Sequence, residues 1–245
     1  GGLVDTKEAV TTSLAKSTAV VGEIDLGDPS SMLKVAGMMK SDVPLKKLLS
    51  GADYKRTDSI FKWVTGYGVG FYNTSKPMVA QAQLVKSLFD KIYTTNAHPD
   101  ELILDMHFQH KARMDAKTVL ALETIEEQAE LLFNKIPIER QAEMLMESIN
   151  EFDSSQVMLR QLADCYVVAD MDCLEKIGNE ADGFSPEEME ALLTTRNQNW
   201  MNQLPKIFRE HRAFVAVGAL HLPGERGVVS LLRKAGYQVR PIPIR

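Results

Sequence analysis

Cysteine is almost absent from this chain. Only Cys165 and Cys173 occur in 245 residues, so no disulfide framework of the small-secreted-domain kind can hold it together. The two lie eight apart, in a stretch that reads as a helix and a following turn. Eight residues of one helix rise about 12 Å, beyond disulfide reach. A bridge would need the chain to break near Asp170, and the expectation is two free thiols. No apolar run approaches the roughly 18 residues that a membrane span needs. Basic charge is not in excess either: 28 Lys and Arg against 33 Asp and Glu leave a net charge of −5. That argues against a nucleic-acid binder working by phosphate neutralisation. The opening GGLVDTKEAV has neither the basic start nor the apolar stretch of a secretory signal. Its leading glycine pair reads as the mark of a cut, so this absence excludes nothing.

What is present is an ordinary globular composition, with 44% hydrophobic and 25% charged residues, enough for a core without staples. Four short apolar runs read as strands: residues 19–24, 118–122, 213–217 and 237–241. The first three do not alternate, as expected for strands covered on both faces of a mostly parallel sheet. Helical patterns fill the remainder, near 6–17, 29–39, 53–64, 79–93 and 99–114, and from 124 to 210. Ser185-Pro186-Glu187-Glu188 is a helix start, with Ser as N-cap, Pro at the first turn and Glu closing a capping box. The helix it opens is expected to pass Trp200 and to break or kink at Pro205. Strand 213–217, a helix opened by Pro223-Gly224, and strand 237–242 would form a C-terminal βαβ unit. The fold class is α/β (α+β): one domain over 1–245, with a central mostly parallel sheet and a large helical insertion at about 29–115.

Ligands of open parallel sheets gather at the carboxyl ends of the strands. Three strands end here in groups able to bind a metal or move a proton. Glu23 closes AVVGE, Glu123 follows TVLAL, and His221 stands four residues beyond AFVAV. Asp25 and Asp28 trail Glu23. Gly218 and Ala219 are small enough to let a ligand approach the backbone. An imidazole nitrogen with carboxylate oxygens suits Mn, Zn, Co or Fe rather than Ca. The alternative is that the two glutamates cap neighbouring helices and His221 is a loop residue.

Other constellations carry less. His107 and His110 share helical spacing but read as a partly exposed pair. Gly66-Tyr67-Gly68-Val69-Gly70 lacks the second half of a dinucleotide-binding fingerprint and reads as a loop. No G-x-S-x-G elbow is present. Arg196, one turn before Trp200, would neutralise an acidic site or grip a substrate carboxylate or phosphate; the alternative is an ordinary surface arginine.

The ending VGALHLPGERGVVSLLRKAGYQVRPI resembles the C-terminal signature of the TraB/GumN family, which includes Tiki-type proteases and relates to the ChaN/erythromycin-esterase-like group. In order along the chain, Val20–Asp25 is similar to the family's acidic strand end. Leu104-Asp105 and the block through Glu123-Thr124-Ile125-Glu126-Glu127-Gln128 resemble its LD…LET-x-EEQ segment. Arg196-Asn197 resembles its helical RN pair, with Tyr166 where a tyrosine commonly precedes it. The resemblance implies an erythromycin-esterase/ChaN-like fold and a metal-dependent site built from two G-x-x-H motifs and a glutamate. Gly218-Ala219-Leu220-His221 matches the second motif, and Glu23 the acid. The first would lie on a strand before residue 5, and this sequence has none there: either that segment was left out or the ligand is lacking.

On this reading Glu23 and His221 are metal ligands and the cofactor is Mn, Co or Zn. Glu123 is ligand or general base, and Arg196 orients substrate or stabilises the oxyanion. The activity implied is a metal-dependent hydrolase, a peptidase first, acting on a peptide or small molecule in the periplasm or cell envelope. Two alternatives stand beside it: a binding or interaction protein with an incomplete site, and a metal-independent esterase-like hydrolase in which a His/Glu pair activates water.

Overall fold

Ala19-Val20-Val21-Gly22 is withdrawn from water at every position, as a strand must be when it is the middle of a parallel sheet with both faces covered. In the computed structural model, which describes residues 8–27, 29–93, 104–179 and 184–242, this segment is β1 (Ala19–Gly22). It is flanked by β2 (Thr118–Ala121) and β3 (Ala213–Val215) in the order β2-β1-β3. Both pairings are parallel, with Val20 opposite Val119 and Phe214, and Val21 opposite Leu120 and Val215.

The two-residue period of the strands divides the core. Val20, Val119, Phe214 and Ala216 face one side, against Leu14 of helix Glu8–Lys16 and Phe108 and Ala112 of helix Leu104–Met114. Phe108 and Phe214 meet edge to face at 5.0 Å. Val21, Leu120, Val215 and Val217 face the other side, against Trp200, Leu204, Ile207 and Val228. The sheet belongs to a compact unit of Gly1–Pro29, Pro99–Ile125 and Gln161–Arg245. Of the helices expected between 29 and 115, the one at Leu104–Met114 thus lies against the sheet; residues 94–103 lie outside the described residues.

Ser30–His98 and Glu126–Arg160 make a second compact unit. Its helices Gly51–Thr65, Pro77–Tyr93 and Ile138–Asn150 enclose Leu45, Phe61, Val69, Leu84, Leu145 and Ile149. The glycine-rich stretch expected to be a loop begins as a helix cap. Gly66 at φ 83° takes the left-handed conformation that ends the helix, and a short 3₁₀ turn follows at Val69–Tyr72.

The capping box at Ser185 forms as expected: its Oγ accepts from the Glu188 amide and the Glu188 carboxylate accepts from the Ser185 amide. Three expectations are corrected. Among the described residues no fourth strand joins the sheet, so the βαβ unit stops at its helix, Val228–Lys234. Pro241 offers no N–H for a ladder; instead Tyr237 packs on Phe208 at 5.6 Å and the Val239 carbonyl accepts from Arg233. The expected break does occur, but it lies at Met201–Gln203 rather than at Pro205 itself, which stands in the first turn of a new helix, Leu204–Glu210. The two cysteines are joined in a disulfide rather than free. The chain does break between them. Ala169 takes φ 56°, and Asp170 caps the next helix, Met171–Asn179, by accepting from the Cys173 amide. That reversal brings the two Cα atoms to 5.9 Å.

Candidate functional site

Because all three strands are parallel, their carboxyl ends share one edge of the sheet, and Glu23, Glu123 and the turn bearing His221 converge there. The loop after β1 is held by Gln109, whose amide donates to the Ile24 carbonyl at 2.8 Å and accepts from the Leu26 amide at 3.0 Å. Gly22 allows this close approach, since a Cβ there would stand 2.7 Å from the Gln109 nitrogen. Glu23 accepts the Gly218 amide at 2.7 Å through Oε1. This ties the end of β1 to the segment after β3.

Arg196 reaches the same edge from a helix. A π-helical turn at Glu190–Thr194 runs into helix Thr195–Trp200. Such turns shift the register of the residues that follow and recur at functional sites. The guanidinium lies between the acids. Its Nε donates to both Glu123 oxygens at 3.1 and 3.2 Å, and its Nη2 donates to Glu23 Oε2 at 2.5 Å and to Glu123. Nη1 donates to the Leu192 carbonyl and to His221 Nε2, both at 3.0 Å. Its Cζ lies 5.1 Å from the Trp200 ring centre, within cation–π range. Side-chain exposures of 12% for Arg196 and Glu123 and 16% for Glu23 make this a largely desolvated cluster.

His221 is 4% exposed and packs on Trp200 in a tilted ring contact, centroids 4.4 Å apart. The buried Asn197 sets its protonation. The Asn197 amide nitrogen donates to the His221 and Arg226 carbonyls at 3.3 and 3.0 Å, which turns Oδ1 toward the ring, 2.7 Å from Nδ1. An oxygen there requires Nδ1 to carry the proton, leaving the lone pair on Nε2. Nε2 faces Arg196, with Glu23 Oε1 3.9 Å away.

Burial dominates the imidazole, pushing it down to about 4; the Glu23 charge opposes this and the Arg196 charge adds to it. His221 is therefore neutral at pH 7. For Glu23, burial works to raise the carboxyl, but the Gly218 amide, His221 and Arg196 together hold it below the usual range. Arg196 is held above its ordinary value: burial opposes its charge, but its hydrogen bonds to Glu123 and Glu23 and the charges of both glutamates outweigh burial. Asp105 is raised by partial loss of water and by the nearby Glu23 charge. Tyr166 is raised by its own partial loss of water and by Asp105.

The four site residues expected from the sequence thus come together, as a cluster centred on the arginine. Asn197, the second residue of the RN pair, gains a role that its spacing did not disclose. His107 and His110 stay on helix Leu104–Met114, half-buried and exposed respectively. Asp25 pairs with Arg113, and Asp28 lies outside the described residues.

A cleft of about 300 Å³ adjoins the cluster on the Asn197 side, lined by Leu174, Met189, Leu193, Leu220 and Arg226 among others. The donor types for a divalent ion are present in Glu23, Glu123 and the Nε2 of His221, but as arranged they do not fit one. Among the described residues no three His, Cys, Asp or Glu groups form a metal-binding set. The space between these donors is filled by the guanidinium.

A family model described as the TraB/PrgY/gumN family matches residues 2–241, nearly the whole chain. The chain belongs to that family. No curated protein and no solved structure gives a match. Its G-x-x-H segment is the turn that carries His221, and its RN pair supplies both the guanidinium and the amide that hold the imidazole. No helix among the described residues is long and apolar enough to cross a membrane.

Proposed function

We propose that this member of the TraB/PrgY/gumN family is a hydrolase of peptide or ester carbonyls in which His221 takes the proton of the attacking water. One observation carries the reading: a buried neutral imidazole with Nδ1–H fixed by Asn197 turns its Nε2 lone pair toward a glutamate and an arginine. A general base needs a directed accepting atom and a counter-charge for its protonated form; Glu23 supplies that charge against the burial that disfavours the imidazolium.

The proton economy follows from the contacts. Neutral Nε2 accepts from Arg196 Nη1; protonated Nε2 cannot. Transfer of the water's proton to Nε2 therefore releases an Arg196 N–H as negative charge builds on the substrate oxygen. That is when an oxyanion donor is useful. Glu23, 3.9 Å from Nε2, stabilises the imidazolium so formed. Glu123 acts as a positioning residue, holding the guanidinium through its forked contacts. The proton then returns from Nε2 to the leaving amine or alkoxide.

The metal-dependent peptidase implied by the family resemblance is a second reading, supported by the donor types around Arg196. A binding protein that keeps the fold is the third. Hydrolysis of unstructured peptides and of aryl esters, measured with chelator and then with Mn²⁺, separates them. Turnover in chelator, lost in His221→Ala with the fold intact, is the expected result. Turnover that appears only with Mn²⁺ supports the peptidase reading, and turnover in neither condition leaves the binding protein.

For location we propose the periplasm or cell envelope. The Cys165–Cys173 disulfide supports this, because such bonds persist in oxidising compartments.

A further inference from the structure

Arg196 has five N–H groups, and all of them end on acceptors: Glu123, Glu23, the Leu192 carbonyl and His221 Nε2. The one nitrogen lone pair the site could offer a metal is spent on a guanidinium proton. Charge points the same way. Two carboxylates and one guanidinium leave a single net negative charge beside a neutral imidazole. Adding a divalent ion without removing the guanidinium would force two cations together in a largely desolvated space. Two further contacts to the guanidinium, the Leu192 carbonyl and the Trp200 ring, come from its own helix rather than from the acids and the imidazole, and add to its hold on the site.

We infer that Arg196 is the resident cation of this site. It gathers Glu23, Glu123 and His221 as a divalent ion would, and an ion enters only where the guanidinium gives up its place. This rests on the reading of the cluster as the functional site, but it is tested by binding and not by turnover.

The test is a calorimetric titration of the whole chain with Mn²⁺ beside Arg196→Met and the double variant Arg196→Met/His221→Ala. Thermal melts with and without Mn²⁺ accompany it. Arg196→Met is expected to bind Mn²⁺ on the order of tenfold or more tightly than the parent, because binding no longer competes with a guanidinium. The double variant is expected to lose that gain. A parent that binds Mn²⁺ as tightly as Arg196→Met overturns the inference. Should circular dichroism show that Arg196→Met does not fold, Arg196→Gln replaces it. A glutamine removes the charge but keeps an amide that can bond the acids, so Mn²⁺ binding tighter than the parent's supports the inference, and binding no tighter overturns it. The two proposals fail separately. Equal Mn²⁺ binding with His221-dependent turnover removes only the resident cation, and a gain of binding with no turnover on any substrate removes only the hydrolase.

Discussion

Asn197 Oδ1 lies 2.7 Å from His221 Nδ1, and the Asn197 amide nitrogen meanwhile clamps the carbonyls of His221 and Arg226. One buried side chain therefore fixes both the tautomer of the imidazole and the turn that carries it. Asn197→Ala leaves those three polar groups without a partner in a dry place, at a cost of roughly 2–3 kcal/mol. Denaturant unfolding reads that loss. Asn197→Asp is the discriminating variant: a carboxylate beside Nδ1–H favours the imidazolium, so the acid limb of kcat/KM moves to higher pH. A purely structural Asn197 would lower stability and leave that limb in place.

Acid should weaken the fold in a defined window. The folded-state value of His221 is depressed to about 4 from 6.5, so the unfolded chain binds more protons between those values. Its stabilising contribution is complete above about pH 6.5 and is lost as pH falls toward 4, by up to about 3 kcal/mol. Glu23, also depressed, adds to the loss at the acid end. Asp105, which is raised, works in the opposite sense. Unfolding midpoints at several pH values, for the parent and His221→Ala, measure this. A slope between pH 6.5 and 4 unchanged in the variant would remove His221 as its source.

Gly218 is pinned by what a methyl would meet. A Cβ there would stand 3.1 Å from Glu23 Oε1, the oxygen that accepts the Gly218 amide. Gly218→Ala is expected to displace that carboxylate by a few tenths of an ångström. Such misplacement lowers kcat on the order of tenfold or more, with a change in stability near 1 kcal/mol. Steady-state kinetics with a parallel melt check it, and an alanine variant with full kcat would show that the Glu23 position is not critical.

Reduction of the Cys165–Cys173 bond opens a loop closed over a separation of 8 residues, worth about 2–3 kcal/mol in chain entropy. The helix it staples, Met171–Asn179, places Gly178 against Leu220, next to His221. A dithiol reductant should therefore lower Tm by several degrees and raise amide exchange in residues 219–227. Two free thiols titrated in unreduced, denatured protein would contradict the bond.

The apolar runs and the polar residues at their ends were legible without a structure. Val20 and Val21 can only be buried, Glu23 and Glu123 interrupt apolar stretches, and Ser185-Pro186-Glu187-Glu188 carries its own capping chemistry. These are local signals, written within a few residues by periodicity and side-chain hydrogen bonding. What lies between distant residues was not. Arg196 bonds to Glu23 and Glu123 across 173 and 73 residues, and nothing within its own helix distinguishes it from a surface arginine. The final strand failed for the same reason. Residues 237–241 have the composition of a strand, but a strand exists only when it pairs, and among the described residues this segment pairs with neither edge of the sheet. The disulfide depended on Ala169 taking a left-handed conformation, which a non-glycine residue adopts only when tertiary packing compensates. The sequence alone determined which chemical groups stand at the strand ends. Only the tertiary structure decided that the cation between them is an arginine, because that follows from long-range pairing in a desolvated space.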